Sequence, residues 1–259
     1  MSTKKHQGIE NVDVIIVGTG PAGLGAAFHL CEQAPNRSIL MIDREKYCSG
    51  GLLNDCKQNY TYPTGFAEGN WTRQEAERLL PQVEACLQPT IKEKQNLSVY
   101  QRRAERLGVS LLNIRQAHVG TDRSKELILR LRTELEARGV RFMLEQEVRD
   151  VFDTSDGAGV VMANGETVHC GTVIVAPGRK GFEFLQQVME RMGISYIDNE
   201  VDIGIRVETR LENYPIVSDY YDPKFLFPDK VRTFCTNSGH ARVVLEQYHG
   251  FSLVNGHAL

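Results

Sequence analysis

The sequence has little of what marks several large function classes. Its six cysteines (Cys31, Cys48, Cys56, Cys86, Cys170 and Cys235) form no CxxC pair, so it carries neither a zinc-ribbon nor a dithiol redox motif. Its seven histidines form no HExxH and no other metal-ligand spacing. No apolar run approaches the roughly 20 residues of a membrane-spanning helix, and the polar stretch Met1–Glu10 has no signal-peptide core. Charge of one sign is missing too. Thirty Lys and Arg against thirty-three Asp and Glu are spread along the chain for a net −3, which leaves no basic stripe for nucleic acid or an anionic membrane. There is one tryptophan, no internal repeat and no low-complexity tract. These absences predict a cytoplasmic protein with reduced thiols, no resident metal, and no nucleic-acid or membrane partner. At 259 residues it is long enough for one large or two modest domains.

What is present is concentrated near the start. Asp13–Ala26 contains a β-branched run, Val14–Val17, that breaks into Gly18-Thr19-Gly20-Pro21-Ala22-Gly23 and continues in small apolar residues. A continuous run of that kind suits a strand buried on both faces of a parallel sheet. In the strand–turn–helix that follows, Gly18 permits the tight turn, Gly20 lets backbone approach a pyrophosphate, and Gly23 lets the helix pack on the strand. The helix start offers N–H groups and a positive dipole end to the phosphates. A second apolar run, Ser38–Ile42, ends in Asp43, twenty residues beyond Gly23. That is where an acid meets the ribose hydroxyls of an adenosine.

Further along, Glu45–Trp71 is rich in Gly, Asn, Asp and Tyr and reads as a long functional loop. Thr72–Leu87 has helical periodicity, with Pro81 expected to kink it or start a second helix. Leu97–Gly108 reads as a helix and Ser110–Ile114 as a short strand. A helix is expected over Arg123–Arg138, capped by Thr121 or Asp122, closed by Gly139, and burying Leu127, Ile128, Leu131 and Leu135. Strands follow at Val140–Glu145 and Glu147–Phe152, then a hairpin of Gly157–Met162 and Glu166–Cys170 around Asn164-Gly165. Thr172–Ala176 is a further buried strand, and Phe182–Met192 a helix stopped by Gly193. Ile194–Ile197 and Ile203–Glu208 look like short strands, and periodicity weakens from Asn213 onward. Gly157-Ala-Gly159 lies in a hairpin with no helix after it, so no second dinucleotide motif is present.

This order, with a strand ending in Ala176-Pro177-Gly178, resembles the flavoproteins that share the glutathione-reductase type of FAD-binding fold. Pro21-Ala22 within the glycine motif points the same way. The segments HVGTD (His118–Asp122), VDIGIRVE (Val201–Glu208), DPKF (Asp222–Phe225) and VRTFC (Val231–Cys235) are similar to a bacterial family of FAD-dependent dehydrogenases. The resemblance implies an α/β fold: a Rossmann-like βαβ FAD-binding domain with a second, incomplete α+β domain. The FAD-binding domain is placed at 1–50 and 110–182, an inserted loop and helices at 51–109, and the start of a substrate or cap domain at 183–259. It further implies FAD as cofactor. Gly18, Gly20, Pro21, Ala22 and Gly23 would lie on the pyrophosphate and Asp43 on the adenosine ribose. Arg44, Gly50 and Gly51 would lie along the diphosphate and ribitol, and Val148 would present backbone to adenine. Ala176 and Gly178 occupy the family's second signature, where Pro177 stands for the usual Thr. The family's C-terminal FAD contacts have no counterpart after Asn255-Gly256, so the chain reads as the N-terminal part of a longer protein.

Within a flavoprotein the cofactor carries the electrons and the protein orients and tunes it, so no triad is required and no catalytic residue is singled out. Cys48 and Cys56 lie in the loop expected near the flavin and read as ordinary thiols, since neither has an activating base nearby in sequence. Asn54, Asp55 and Lys57 are polar residues of the same loop. His118 reads as a structural histidine. Three functional readings stand at this point. The first is an FAD-dependent oxidoreductase moving a hydride or electron pair between a small organic substrate and flavin, supplied by transient NAD(P)H or another electron donor. The second is a dinucleotide-binding fragment without turnover. The third is an NAD-binding protein resembling those of thiazole biosynthesis.

Overall fold

The computed structural model of the protein describes residues 12–49, 72–198, 203–229, 231–248 and 250–257. In chain order the elements are β1 (Val12–Val17), α1 (Pro21–Gln33), β2 (Ile39–Ile42), α2 (Arg73–Leu87), β3 (Thr90–Ile91), α3 (Leu97–Glu105), β4 (Ser110–Leu111), β5 (Ala117–His118) and α4 (Thr121–Ala137). They continue with β6 (Arg141–Met143), β7 (Val148–Thr154), β8 (Gly157–Met162), β9 (Thr167–Val175), α5 (Phe182–Arg191), β10 (Phe225–Leu226), β11 (Arg242–Tyr248) and β12 (Phe251–His257). The chain divides into two compact units, one of residues 1–54 and 126–201, the other of residues 55–125 and 202–259. These boundaries stand beside the 50/51, 109/110 and 182/183 read from the sequence. The stretches 55–125 and 202–259 join in one body.

The first unit is built on a six-stranded sheet in the order β6-β2-β1-β9-β8-β7. The four strands β6, β2, β1 and β9 run parallel, with Val14 opposite Ile39 and Val17 opposite both Ile42 and Val175. Ile15, Ile16, Met41 and Ile42 have no measurable exposure, as a strand covered on both faces requires. Side chains alternate across the sheet. Ile15 and Val17 join Leu40, Ile42, Val148, Val160, Val168 and Val188 in one hydrophobic cluster. A Cβ on Gly23 of α1 would reach the Ile16 side chain, which points to the opposite face. Leu127, Ile128, Leu131 and Leu135 of α4 are all buried, as their helical spacing predicts. Gly139 (φ +88°) closes that helix, and the Val140 N–H donates back to the Leu135 carbonyl at 3.0 Å. Among the described residues no helix is long and apolar enough to cross a membrane.

Several sequence expectations are corrected. The two strands expected at Glu166–Cys170 and Thr172–Ala176 are one nine-residue strand, β9. It pairs antiparallel with β8 through Cys170↔Ala158 and parallel with β1 through Cys170↔Val12. Its latter half is only partly buried, with Thr172 exposed and Val173–Val175 intermediate. Pro81 neither ends nor splits its helix: α2 runs through it, entered by a reciprocal Thr72–Glu75 capping box. Pro81 lies on an exposed turn, where water can satisfy the carbonyl whose N–H partner proline lacks. Neither Ile194–Ile197 nor the described part of Ile203–Glu208 is a strand. Both lack ladder partners, and Ile203 and Ile205 are 94% and 90% exposed. The expected strand at Ser110–Ile114 shortens to Ser110–Leu111, and α4 starts two residues earlier than expected.

The second unit has a smaller core of Ala104, Leu111, Ile216 and Tyr220, flanked by Tyr100, Tyr214 and Phe225. The buried Tyr220 hydroxyl donates to the Leu112 carbonyl at 2.7 Å. Buried Asp222 is held by Lys224 Nζ (2.7 Å) and by the Thr236 N–H (2.9 Å). The hairpin β11–β12, in full register from Arg242↔His257 to Tyr248↔Phe251, was not read from the sequence.

At the start of the parallel sheet, Asp13 ties β1 to the entry of β2. Its carboxylate accepts from the Ser38 N–H, the Ser38 hydroxyl and Arg37 Nη1, each at 2.8 Å. The Ser38 bonds, with Arg37 beside them, lower its pKa from 3.8 to about 2. A depressed folded-state pKa contributes stability above the unfolded value, and that contribution is lost as pH falls toward the folded one. The stability gap between wild type and Asp13→Asn should therefore be constant above pH 5 and narrow as pH is lowered from 4 toward 2. Urea unfolding at a series of pH values measures it, and a gap that does not narrow contradicts the assignment.

Candidate functional site

The parallel strands order one end of the first unit. From β1 the chain passes through α1 to β2 on one side, while β9 lies on the other, so the carboxyl end of β1 stands at the point where strand order reverses. That is where open α/β sheets leave a crevice. The turn leaving β1 is set by two close approaches. The Gly18 N–H donates to the Ile42 carbonyl at 2.7 Å, and the Ala176 N–H to the Val17 carbonyl at 2.8 Å. Gly18 has φ +103°, and a Cβ there would stand 2.1 Å from the Ala176 carbonyl oxygen. A Cβ at Gly23 would stand 2.1 Å from the Gly18 carbonyl oxygen, so α1 seats directly on the turn.

Gly20 differs from both. Its φ of −70° suits any residue, and a Cβ there would meet nothing within 4 Å. It is the N-cap of α1, with no side-chain capping bond, and the first turn of the helix holds no acidic residue. Pro21 at N1 has no N–H to satisfy. The start of a thirteen-residue helix, with its partial positive charge, thus has no acidic residue in its own first turn and, among the described residues, no atom within 4 Å of a Cβ placed at Gly20.

Asp43 stands beside it at the end of β2, its N–H donating to the Met143 carbonyl at 3.0 Å. Its carboxylate is held by three protein donors. Oδ2 accepts from both the Thr19 N–H (2.8 Å) and the Thr19 hydroxyl (2.6 Å), and Oδ1 from the Glu45 N–H (3.0 Å). Thr19 is fully buried, and its Oγ1 accepts from the Ser49 N–H at 2.9 Å. Ser49 is buried in a left-handed conformation (φ +54°), and among the described residues its own hydroxyl has no hydrogen-bond partner. Neither Thr19 nor Ser49 was singled out from the sequence. The available signal was a hydroxyl residue between the first two motif glycines.

The other expected residues fall as follows. Arg44 is half exposed, and its guanidinium reaches the Lys180 carbonyl (3.2 Å) and Glu45 (4.0 Å). Val148, first residue of β7, is buried in the same cluster as Val17 and Ile42, and the Gln146 N–H donates to the Asp43 carbonyl at 3.0 Å. Ala176 borders the Gly18 turn. Gly178 (φ +66°) is exposed and starts a 3-10 turn over Arg179–Gly181. Gly50, Gly51, Asn54, Asp55, Cys56 and Lys57 lie outside the described residues. Cys48 is buried with Sγ against the Thr19 carbonyl (3.9 Å), and burial pushes its thiol up to about 11. It is therefore a protonated, unreactive thiol at neutral pH.

The second unit has a cavity of about 780 Å³ lined by Glu77, Lys92, Glu93, Lys94, Arg115 and Gln116 among others. Its cations are already engaged. Arg115 pairs with Glu84 at 2.7 Å, and the Lys92 and Lys94 ammonium groups lie 4.9 and 5.0 Å from the ring centres of Tyr221 and Tyr220. His118 is buried in β5, its ring 5.2 Å from that of Tyr221. Among the described residues no group of three or more His, Cys, Asp or Glu is placed to hold a metal ion.

No protein-family model and no curated protein sequence matches the chain. Among solved structures it is similar to glycine oxidase from Geobacillus kaustophilus (TM-score 0.50, 16% identity), over 71% of this chain and 59% of that one. It is also similar to NikD, an unusual amino acid oxidase essential for nikkomycin biosynthesis (TM-score 0.49, 17% identity, 71% and 55% covered). A third is L-amino acid deaminase from Proteus vulgaris (TM-score 0.47, 14% identity, 72% and 52% covered). The chain thus spans between about half and three-fifths of the length of these structures. At such identities the likeness is one of fold. The chain is a mixed α/β protein with a Rossmann-like parallel-strand sheet, similar in fold to this glycine oxidase.

Proposed function

We propose that the β1–α1 turn binds the adenosine diphosphate part of FAD, in an oxidoreductase that moves a hydride or electron pair between a small organic substrate and flavin. The observation that carries this reading is the start of α1. It is uncapped, has no acid in its first turn, is open at Gly20, and stands beside Asp43 at the carboxyl ends of the parallel strands. Such a helix start stabilises an anion through its N–H groups and dipole. The fold shared with glycine oxidase supports an oxidoreductase.

The residues present fit the group. The space off Gly20 admits a phosphate where a side chain would stand, and the motif offers backbone rather than competing carboxylates. Gly18, Gly20, Pro21, Ala22 and Gly23 would hold the diphosphate, with Arg44 adding positive charge and Asp43 taking the ribose. Gly50 and Gly51 would follow toward the ribitol, the backbone at Val148 would meet adenine, and Ala176 and Gly178 would border the site. Bound FAD supplies the hydride-accepting chemistry. The chain's own part is to bind the cofactor, orient it and keep water from it. A small-molecule substrate, with NAD(P)H or another donor visiting transiently, completes the scheme. We place it in the cytoplasm, which fits the free cysteines Cys31, Cys48 and Cys170.

The purified chain should show flavin bands in its visible spectrum or take up added FAD. A colourless protein that leaves FAD fluorescence unchanged on titration refutes the reading. Asp43→Ala should weaken FAD by about 1–3 kcal/mol, the range for lost hydrogen bonds to a charged group, and an unchanged dissociation constant would remove Asp43 from the site. The glycines separate packing from binding. Gly20→Ala should leave the melting temperature unchanged, since its Cβ meets nothing within 4 Å among the described residues, yet raise the FAD dissociation constant about tenfold, ~1.4 kcal/mol. Gly18→Ala should destabilise the fold itself, by about 1–3 kcal/mol from its φ alone and more from the clash with Ala176.

A further inference from the structure

We infer that Thr19 is a positioning residue of the nucleotide site, one that sets the carboxylate of Asp43 for the ribose. The inference rests on the adenosine diphosphate reading above and deepens it.

An ionised carboxylate offers about four acceptor positions, two on each oxygen. Thr19 occupies both positions of Oδ2, one through its N–H and one through its hydroxyl, and the Glu45 N–H occupies one of Oδ1. One strong acceptor position remains, on Oδ1. The ribose diol therefore meets a carboxylate that cannot turn and accepts a single hydroxyl well, not a free carboxylate accepting both. This revises the simple expectation of a bidentate acid at the end of β2.

The hydroxyl has a second task. Having donated its proton to Asp43, Oγ1 accepts from the Ser49 N–H, which sits on a buried residue at φ +54°. A left-handed serine is uncommon and persists where its surroundings hold it. Thr19 is thus bonded at one atom to the acid that follows β2 and to the backbone at Ser49. Its own backbone lies between the two glycines of the turn. Carboxylate, turn and loop entry keep one geometry because one fully buried hydroxyl joins them.

Thr19→Val keeps the shape and the N–H but removes the hydroxyl, so Asp43 gains freedom to rotate and the Ser49 N–H is left buried without its acceptor. The test uses the full chain with ADP, 2′-deoxy-ADP and 3′-deoxy-ADP in calorimetric titrations. In wild type, removing the hydroxyl that faces Oδ1 should weaken binding about tenfold, as loss of a hydrogen bond to a charged group does, and removing the other much less. In Thr19→Val both ratios to ADP should fall close to one, and Thr19→Ser should restore the wild-type pattern. General destabilisation lowers all three affinities together and leaves the ratios intact, so a valine variant with wild-type ratios overturns the inference whatever its melting temperature. Thr19→Ala, which adds no bulk, makes the same comparison where the valine variant does not fold. Wild type that binds none of the three probes refutes the underlying site instead, a result distinct from ratios that survive the substitution.

Discussion

Backbone meeting backbone at Gly18 is the constraint on which the carboxyl end of the first unit's parallel strands depends. The parallel register brings Val17 opposite Val175 and Ile42 together, and the turn must leave β1 without striking the end of β9. With 2.1 Å between a Cβ at position 18 and the Ala176 carbonyl oxygen, only a residue without a side chain passes. Gly23 repeats the condition one helical turn later. These contacts put the start of α1 in one place, and the positive end of its dipole follows without any charged side chain.

Polar groups then complete what the backbone begins. The only carboxylate at this crevice described as bonded to the turn belongs to Asp43, and it is directed by donors from Thr19 and Glu45 rather than by a counter-charge. Neutral donors hold a carboxylate without cancelling its charge, so it remains an acceptor for hydroxyl groups. The helix start, for its part, keeps no acid in its first turn. The two polarities stay separate across a few residues, the arrangement suited to a ligand with both a diphosphate and a diol.

How much of this was legible in the sequence follows from the range of each interaction. Gly18, Gly23, Gly139 and Gly193 announced themselves because a glycine's role is fixed by its own φ or by backbone nearby. The buried stripe of α4 and the Asn164-Gly165 hairpin were readable for the same local reason. Thr19 was not, since its partners lie 24 and 30 positions away and a threonine between glycines looks like filler. Pro81 does not start the second helix that was one of its two expected effects, because its penalty depends on whether the affected turn faces water. Ile203, Ile205 and Val207 alternate as a strand should, yet alternation supplies no partner, and the segment stays unpaired and exposed. The hairpin β11–β12 escaped notice because its strands carry apolar residues on both faces, which erases the period-two signal.

The double duty of β9 bears on how the protein comes into being. Gly18 and Ala176 stand near opposite ends of the first unit's sequence, and β1 finds its second neighbour only when β9, the closing strand of the hairpin, has been made. During synthesis the glycine motif and β2 leave the ribosome early, so the Gly18 N–H can meet the Ile42 carbonyl, but the turn lacks its second close approach until residue 176 follows. Such a long-range pairing is slow to form, because loop closure precedes its reward. The Gly18 turn is therefore completed late in translation, after the first half of the unit has been made.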